Sequence, residues 1–309
     1  MDRSAAFEHL QSIRSAGRTV VIDGAMGTEL EARGVPMDDD AWCALANLHQ
    51  PDLVQAIHED HIRAGADVVI TNTFMSGSGP MQRAGLGDRF MEGNVNAVRA
   101  ARAAVDSAAD RPVAIAGSVT ATPWGAPEVA AGRGDRDRLR DGFTDQVAAL
   151  AEAGVDLIAL EMVVDTRLGE PAVDAARASG LPVWLGLSMQ VPGRDPKASD
   201  SLPALVPEAR AIAQTCLRDD LDAVNIMHTD IADVAAGIAM VRDLWAGTLG
   251  VYPHHGIWQQ PSWTFEDVPP SQLADLARQW VGLGATMLGG CCGLRTEHVA
   301  ALRAVADGR

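Results

Sequence analysis

The chain has 309 residues, 47% hydrophobic and 21% charged, the balance of a soluble globule with enough apolar side chain to fill one large core. Its 41 acidic residues outnumber 25 basic ones, and a formal charge of −16 argues against nucleic acid or an anionic membrane as partner, since both are polyanions. Four cysteines, at 43, 216, 291 and 292, do not form the dense framework of a small secreted domain, so reduced thiols and metal ligation are the better reading.

Residues 1–17 carry charges throughout and read as a short amphipathic helix without the apolar centre of a signal peptide. No run of eighteen uninterrupted apolar residues follows, and the expectation is a cytoplasmic protein. From there one unit repeats. Short β-branched runs at 19–22, 67–70, 113–116, 156–160, 182–187, 222–226, 249–252 and 286–288 are expected strands. Segments of helical period lie between them, such as 51–64, with Leu53, Val54, Ile57 and Ile62 on one face, and 139–153, with Phe143, Val147 and Leu150. Gly65 and Gly154 sit where such helices should end. Strand and helix alternating eight times imply the α/β class and a (β/α)8 TIM barrel, the doubly wound open sheet being the alternative. No Pro/Gly/Ser-rich linker divides the chain, so 1–309 reads as one domain, with long loops after strands at 121–134 and 191–203.

A barrel confines chemistry to the residues that follow each strand, all of which open onto one face. Those positions hold Asp23, Gly24, Ala25 and Met26; Thr71, Asn72, Thr73 and Phe74; Gly117 and Ser118; Glu161; Ser188 and Gln190; Met227 and His228; His254 and His255; and Cys291 and Cys292. Polar and metal-binding types concentrate there, which supports both the fold and the place of the site.

Cys291 and Cys292 end an apolar run and are flanked by Gly290 and Gly293. Neighbours on a regular strand point to opposite faces, so both thiols converge only if the backbone turns there. A metal pair is preferred over two small buried hydrophobes or a strained vicinal disulfide. His228 supplies a third ligand across the barrel mouth, with His254 and His255 competing, and a Cys2His set with one open position is the arrangement of catalytic zinc. Thiolate and imidazole donors select zinc over magnesium or calcium.

These residues resemble the zinc-dependent homocysteine S-methyltransferases, which include the betaine and S-methylmethionine enzymes and the N-terminal module of cobalamin-dependent methionine synthase. Asp23-Gly24-Ala25-Met26-Gly27-Thr28-Glu29-Leu30 is similar to the family's N-terminal signature, Thr71-Asn72-Thr73-Phe74 to its second-strand motif, and Gly289-Gly290-Cys291-Cys292-Gly293 to its metal-binding end. Ala116-Gly117-Ser118-Val119, Glu161 and Tyr252-Pro253 also fit, so the resemblance runs from about residue 18 to 303. It implies a zinc-bound thiol acceptor that takes a methyl group from a cationic donor, in methionine biosynthesis. It also implies that Asp23 and Glu161 hold the acceptor's ammonium group while backbone amides of Gly24 to Met26 hold its carboxylate. Thr71, Asn72, Phe74 and Ser118 complete the implied substrate pocket. Trp42, Phe74, Trp124 and Trp258 are candidates to face the cation of the donor.

Two departures stand out. The family's third cysteine, in a Gly-x-Asn-Cys-Thr context, falls at His228, with Asn225 at the glycine and Met227 at the asparagine, and His254 replaces the asparagine of Tyr-Pro-Asn. Two thiolates and an imidazole leave zinc formally neutral rather than at −1, so the bound acceptor ionises more easily and is a weaker nucleophile. That favours a reactive sulfonium donor over a quaternary ammonium. No folate or cobalamin module is seen in the sequence, so a free small molecule or a separate corrinoid protein is the expected donor. Other readings are zinc-hydroxide hydrolysis, with His254 or Glu161 as base, and a non-catalytic zinc or thiol sensor. An oligomer is compatible with the sequence.

Overall fold

The computed structural model describes residues 3–123, 126, 136–190, 204–259, 262–264 and 268–309. Eight parallel strands form the central sheet: β1 (Val20–Val21), β2 (Val68–Ile70), β3 (Ala114–Thr120), β4 (Leu157–Val163), β5 (Val183–Leu187), β6 (Ala223–Asp230), β7 (Leu249–His254) and β8 (Met287–Leu288). In spatial order they run β1-β8-β7-β6-β5-β4-β3-β2, and a parallel bridge between Ile22 and Val68 joins the two ends, so the sheet closes on itself. Asp67 reinforces that seam. Its Oδ2 accepts the Val21 amide proton at 2.9 Å and is paired with Arg303 at 3.3 Å.

Residues alternate between the two faces of this wall, as period-two geometry requires. Val20, Ile22, Val68, Ile70, Ala114, Ala116, Leu157, Ala159, Trp184 and Met287 pack in the interior, while Val21, Val69, Ile115, Ile158, Leu185, Val224, Val251 and Leu288 face the helices. Among those helices are α1 (Arg3–Ser15), α2 (Gly27–Ala32), α3 (Pro51–Ala64), α4 (Phe90–Ala108), α5 (Arg136–Ala153), α6 (Thr166–Ala178), α7 (Val206–Cys216), α8 (Val234–Arg242), α9 (Pro270–Gly282) and α10 (Thr296–Ala306). The helices expected at 51–64 and 139–153 are α3 and α5, and Gly65 and Gly154 leave them at φ values of 114° and 99°. Asn225 is fully buried, and Gly250 makes room for it: a Cβ there would lie 1.8 Å from its Oδ1.

The strands on the site side run further than expected. β3 reaches Thr120, β4 Val163, β6 Asp230 and β7 His254. Backbone pairing continues past the apolar runs into polar residues such as Ser118, Glu161 and Asp230, whose types carry no strand signal of their own. The ladder also slips in β4 between Leu160 and Val163 and in β6 between Met227 and Asp230, where Met162 and His228 take φ values of 56° and 47°. Such bulges re-aim side chains at strand ends. Apart from residues 121–123 and 126, the loops expected at 121–134 and 191–203 lie outside the described residues, as does Trp124. Among the described residues no helix is long and apolar enough to cross a membrane.

Candidate active site

Beyond β8 the chain passes Gly289 and Gly290 to reach Cys291 and Cys292. The turn itself belongs to Gly293, at φ 81°, a region favourable to glycine. Gly290 serves close packing instead, since a Cβ there would meet Leu294 at 2.7 Å. The Cys291 amide donates to the Pro253 carbonyl at 2.7 Å and the Gly290 amide to the Asp23 carbonyl at 3.1 Å, tying the corner to β7 and to the end of β1. Cys291 Sγ lies 3.6 Å from Cys292 Sγ and 3.4 Å from His228 Nδ1. Contact with Cys292, together with burial, pushes the Cys291 thiol well above its ordinary value.

His228 also reaches Glu161, with Nε2 2.8 Å from Oε2. Burial works against a charged ring, but the Cys291 sulfur and the Glu161 carboxylate outweigh it, and His228 is pushed up to about 10. The Ser118 hydroxyl donates to Glu161 Oε1, so both carboxylate oxygens are engaged. The other two candidate ligands, His254 and His255, stand beside the same corner. Burial, together with neighbouring His228, lowers His254 to about 4 against the opposing pull of Asp230, and the His255 backbone amide donates to the Cys292 carbonyl at 3.0 Å.

Asp23 stands just beyond β1, beside β8, and is nearly fully buried. It accepts the Ile70 amide proton at 2.8 Å on Oδ2 and the Tyr252 hydroxyl proton at 3.1 Å on Oδ1. Burial raises it well above the usual carboxylate range against the lowering effect of the Ile70 and Tyr252 hydrogen bonds, and the Glu161 charge adds to the rise. The Ala25 amide is committed to the Leu294 carbonyl at 2.9 Å. Thr71 shares a 2.7 Å hydrogen bond with Thr73 and accepts the Ser118 amide proton at 3.1 Å. Asn72 is built into a buried network: its amide donates to Asn47 Oδ1 at 3.0 Å and to the Cys43 carbonyl at 3.1 Å, and its oxygen accepts from the Cys43 thiol. That makes it a brace for the mouth.

Phe74 packs against His228, ring centroids 4.9 Å apart, and stands edge-on to Trp42 at 6.4 Å. Trp42 in turn covers Gly27, where a Cβ would come within 2.3 Å of the indole. Trp258 lies on a short hairpin strand, Ile257–Gln259. Tyr252, outside the site residues expected from the sequence, links Asp23 to the Gly24 carbonyl, at 3.1 Å each, and stands edge-on to His228. The available signal was composition: it is the chain's single tyrosine. Among the described residues no three His, Cys, Asp or Glu side chains form a finished cation site; Cys291 is instead the hub of two close donor contacts.

A family model described as homocysteine S-methyltransferase matches residues 20–306. The chain belongs to the homocysteine S-methyltransferase family. The Escherichia coli (strain K12) homocysteine S-methyltransferase is 30% identical over 304 residues, covering 92% of this chain and 94% of its own. The selenocysteine methyltransferase of Astragalus bisulcatus is 27% identical, covering 91% of this chain and 90% of its own. Among solved structures, the metallated form of the E. coli homocysteine methyltransferase MmuM matches with a TM-score of 0.76 at 25% identity, over 96% of this chain and 99% of that one. As a member of the homocysteine S-methyltransferase family the chain is an S-methyltransferase on a TIM barrel.

Proposed function

We propose that this enzyme methylates the sulfur of homocysteine from a small sulfonium donor of the S-methylmethionine kind, with zinc held by Cys291, Cys292 and His228. The observation that carries the reading is the Cys291 corner. Tetrahedral zinc, with Zn–S about 2.3 Å and Zn–N about 2.0–2.1 Å, separates two sulfurs by about 3.8 Å and sulfur from nitrogen by about 3.6 Å. The contacts here are 3.6 Å and 3.4 Å, so two thiols and an imidazole fit the group with a small adjustment. When bound, zinc lowers the pKa of an incoming thiol and makes the thiolate available at neutral pH. The donor set needs reduced cysteines, and all four are free, which supports work in a reducing compartment such as the cytoplasm.

The chain's own groups position the acceptor. Asp23, already braced by Ile70 and Tyr252, meets its ammonium, and the amides of Gly24 and Met26 take its carboxylate, since that of Ala25 is occupied. Phe74 presents an aromatic ring beside His228 toward which a sulfonium is drawn by cation–π attraction. Burial of Asp23, Glu161 and Ser118 keeps water from competing for these contacts.

The test is mass spectrometry of zinc-loaded protein with homocysteine and a panel of sulfonium and betaine donors. Methionine is expected from the sulfonium donors. No methylated thiol from any of them overturns the reading, and a preference for glycine betaine overturns the donor assignment. Asp23→Asn is expected to raise KM for homocysteine about 10- to 100-fold, the loss of a charge-assisted hydrogen bond worth about 1.5–3 kcal/mol. Zinc content should stay at the wild-type level. A thiol lacking the amino group should lose little, and an unchanged KM for homocysteine would remove Asp23 from the pocket.

A further inference from the structure

We propose that Glu161 is a positioning residue for His228, so that the imidazole standing in the family's third-cysteine position depends on a carboxylate to serve as a ligand. The inference rests on the zinc reading above. A thiolate has one donor atom and needs no orientation about a ring. An imidazole has two nitrogens, and only the deprotonated one can bind a metal. The ring here is held at both ends, with Nε2 2.8 Å from Glu161 Oε2 and Nδ1 3.4 Å from Cys291 Sγ. With Nε2–H donated to the carboxylate, the lone pair falls on Nδ1, directed at the cysteine corner. Phe74, with its ring centroid 4.9 Å from that of His228, limits rotation of the ring.

Glu161 is itself fixed in place. Its other oxygen accepts from the Ser118 hydroxyl; the Ser118 amide donates to Thr71 at 3.1 Å and the Ser118 carbonyl accepts from Thr73 at 2.7 Å. The carboxylate is almost wholly buried and the imidazole largely so, which limits screening of the contact by water. Two bulges aim the pair: the register shift after Leu160 in β4 and the shift after Met227 in β6 bring residues from non-adjacent strands to one point above the barrel. A row of contacts thus runs from Ser118 through Glu161 and His228 to Cys291, and its first two members set the tautomer that its last two use. Glu161 is thereby drawn toward the ligand, and Asp23 becomes the principal partner of the acceptor's ammonium.

The test is zinc affinity measured by chelator competition, with circular dichroism to confirm folding, in two backgrounds. In the wild-type background Glu161→Gln is expected to weaken zinc about 10- to 100-fold, the usual effect of removing a carboxylate behind a metal-bound histidine. In a His228→Cys background the same change is expected to have little effect, because a thiolate has no tautomer to set. Ser118→Ala should show the same background dependence at smaller size, and it carries the test if Glu161→Gln does not fold. Cobalt(II) in place of zinc gives a second readout: its visible spectrum should shift with Glu161→Gln only where residue 228 is histidine. Equal losses in both backgrounds, or none in either, overturn the positioning role and leave the zinc reading standing. A wild type that binds no zinc overturns both.

Discussion

Cys291→Ala and Cys292→Ala are each expected to purify with little or no zinc and to lose methyl transfer to homocysteine. Removing one of three protein donors from a zinc site costs orders of magnitude in affinity, because the remaining two neither neutralise the ion nor complete its tetrahedron. Cys291 should be the more damaging loss, since its sulfur is the one that touches both Cys292 and His228. Both side chains are small, so truncation should cost folding no more than about 1–2 kcal/mol and the variants should remain intact. Cys216, buried beside Gly169 on the outer side of the barrel, is the internal control, and its replacement should leave metal untouched. Metal analysis of the three purified proteins decides the matter: full zinc in both site variants with activity retained would rule out these cysteines as ligands.

Acid stability is the second property with a large expected effect. His58 and His61, one turn apart on α3, are fully buried, and neither ring makes a hydrogen bond among the described residues. Burial lowers both to about 3, helped for His58 by His61 and for His61 by Arg33. A folded chain that keeps these rings neutral binds fewer protons than the unfolded chain at any pH between about 6.5 and 3. Stability is therefore fully present above pH 6.5 and is lost as pH falls toward 3, at about 1.4 kcal/mol per pH unit for each ring. Near pH 4.5 the pair costs about 5 kcal/mol, comparable with the whole stability of many domains. The double variant His58→Leu, His61→Leu should unfold about one pH unit lower in an acid titration followed by circular dichroism. His254, lowered to about 4, shares the direction, so acid unfolding is shifted and not abolished. An unchanged midpoint would mean that the two rings find partners or protons without unfolding.

The barrel was legible because its signals are local. Alternation of β-branched runs with helices that end at Gly65 and Gly154 needs no long-range information, and a closed parallel sheet is the result. The candidate site residues were readable to the extent that strand ends define a mouth: Asp23, Glu161, His228, Cys291 and Cys292 all stand at or just beyond those ends. The contacts between them were not readable. The Glu161–His228 pair depends on two ladder slips that no apolar pattern reports, and it joins strands 67 residues apart in the chain. Asn72 illustrates the converse. Its motif suggested a substrate contact, whereas its amide is spent on Cys43 and Asn47, a network formed by a segment that lies outside the strand and helix rhythm.

The backbone at His228 has a consequence for which residues this position can host. Its φ of 47° lies in the left-handed region, where histidine and asparagine are tolerated better than most and β-branched residues are penalised by about 1–3 kcal/mol. A saturation library at 228 would therefore be sorted twice, first by main-chain geometry and only afterwards by donor chemistry. Asparagine and glycine should be recovered as folded, metal-poor proteins, while valine, isoleucine and threonine drop out before any metal is offered. The position can exchange its ligand atom during divergence only among side chains that accept this bend, which narrows the routes between a sulfur-rich centre and an imidazole-containing one to a few single steps.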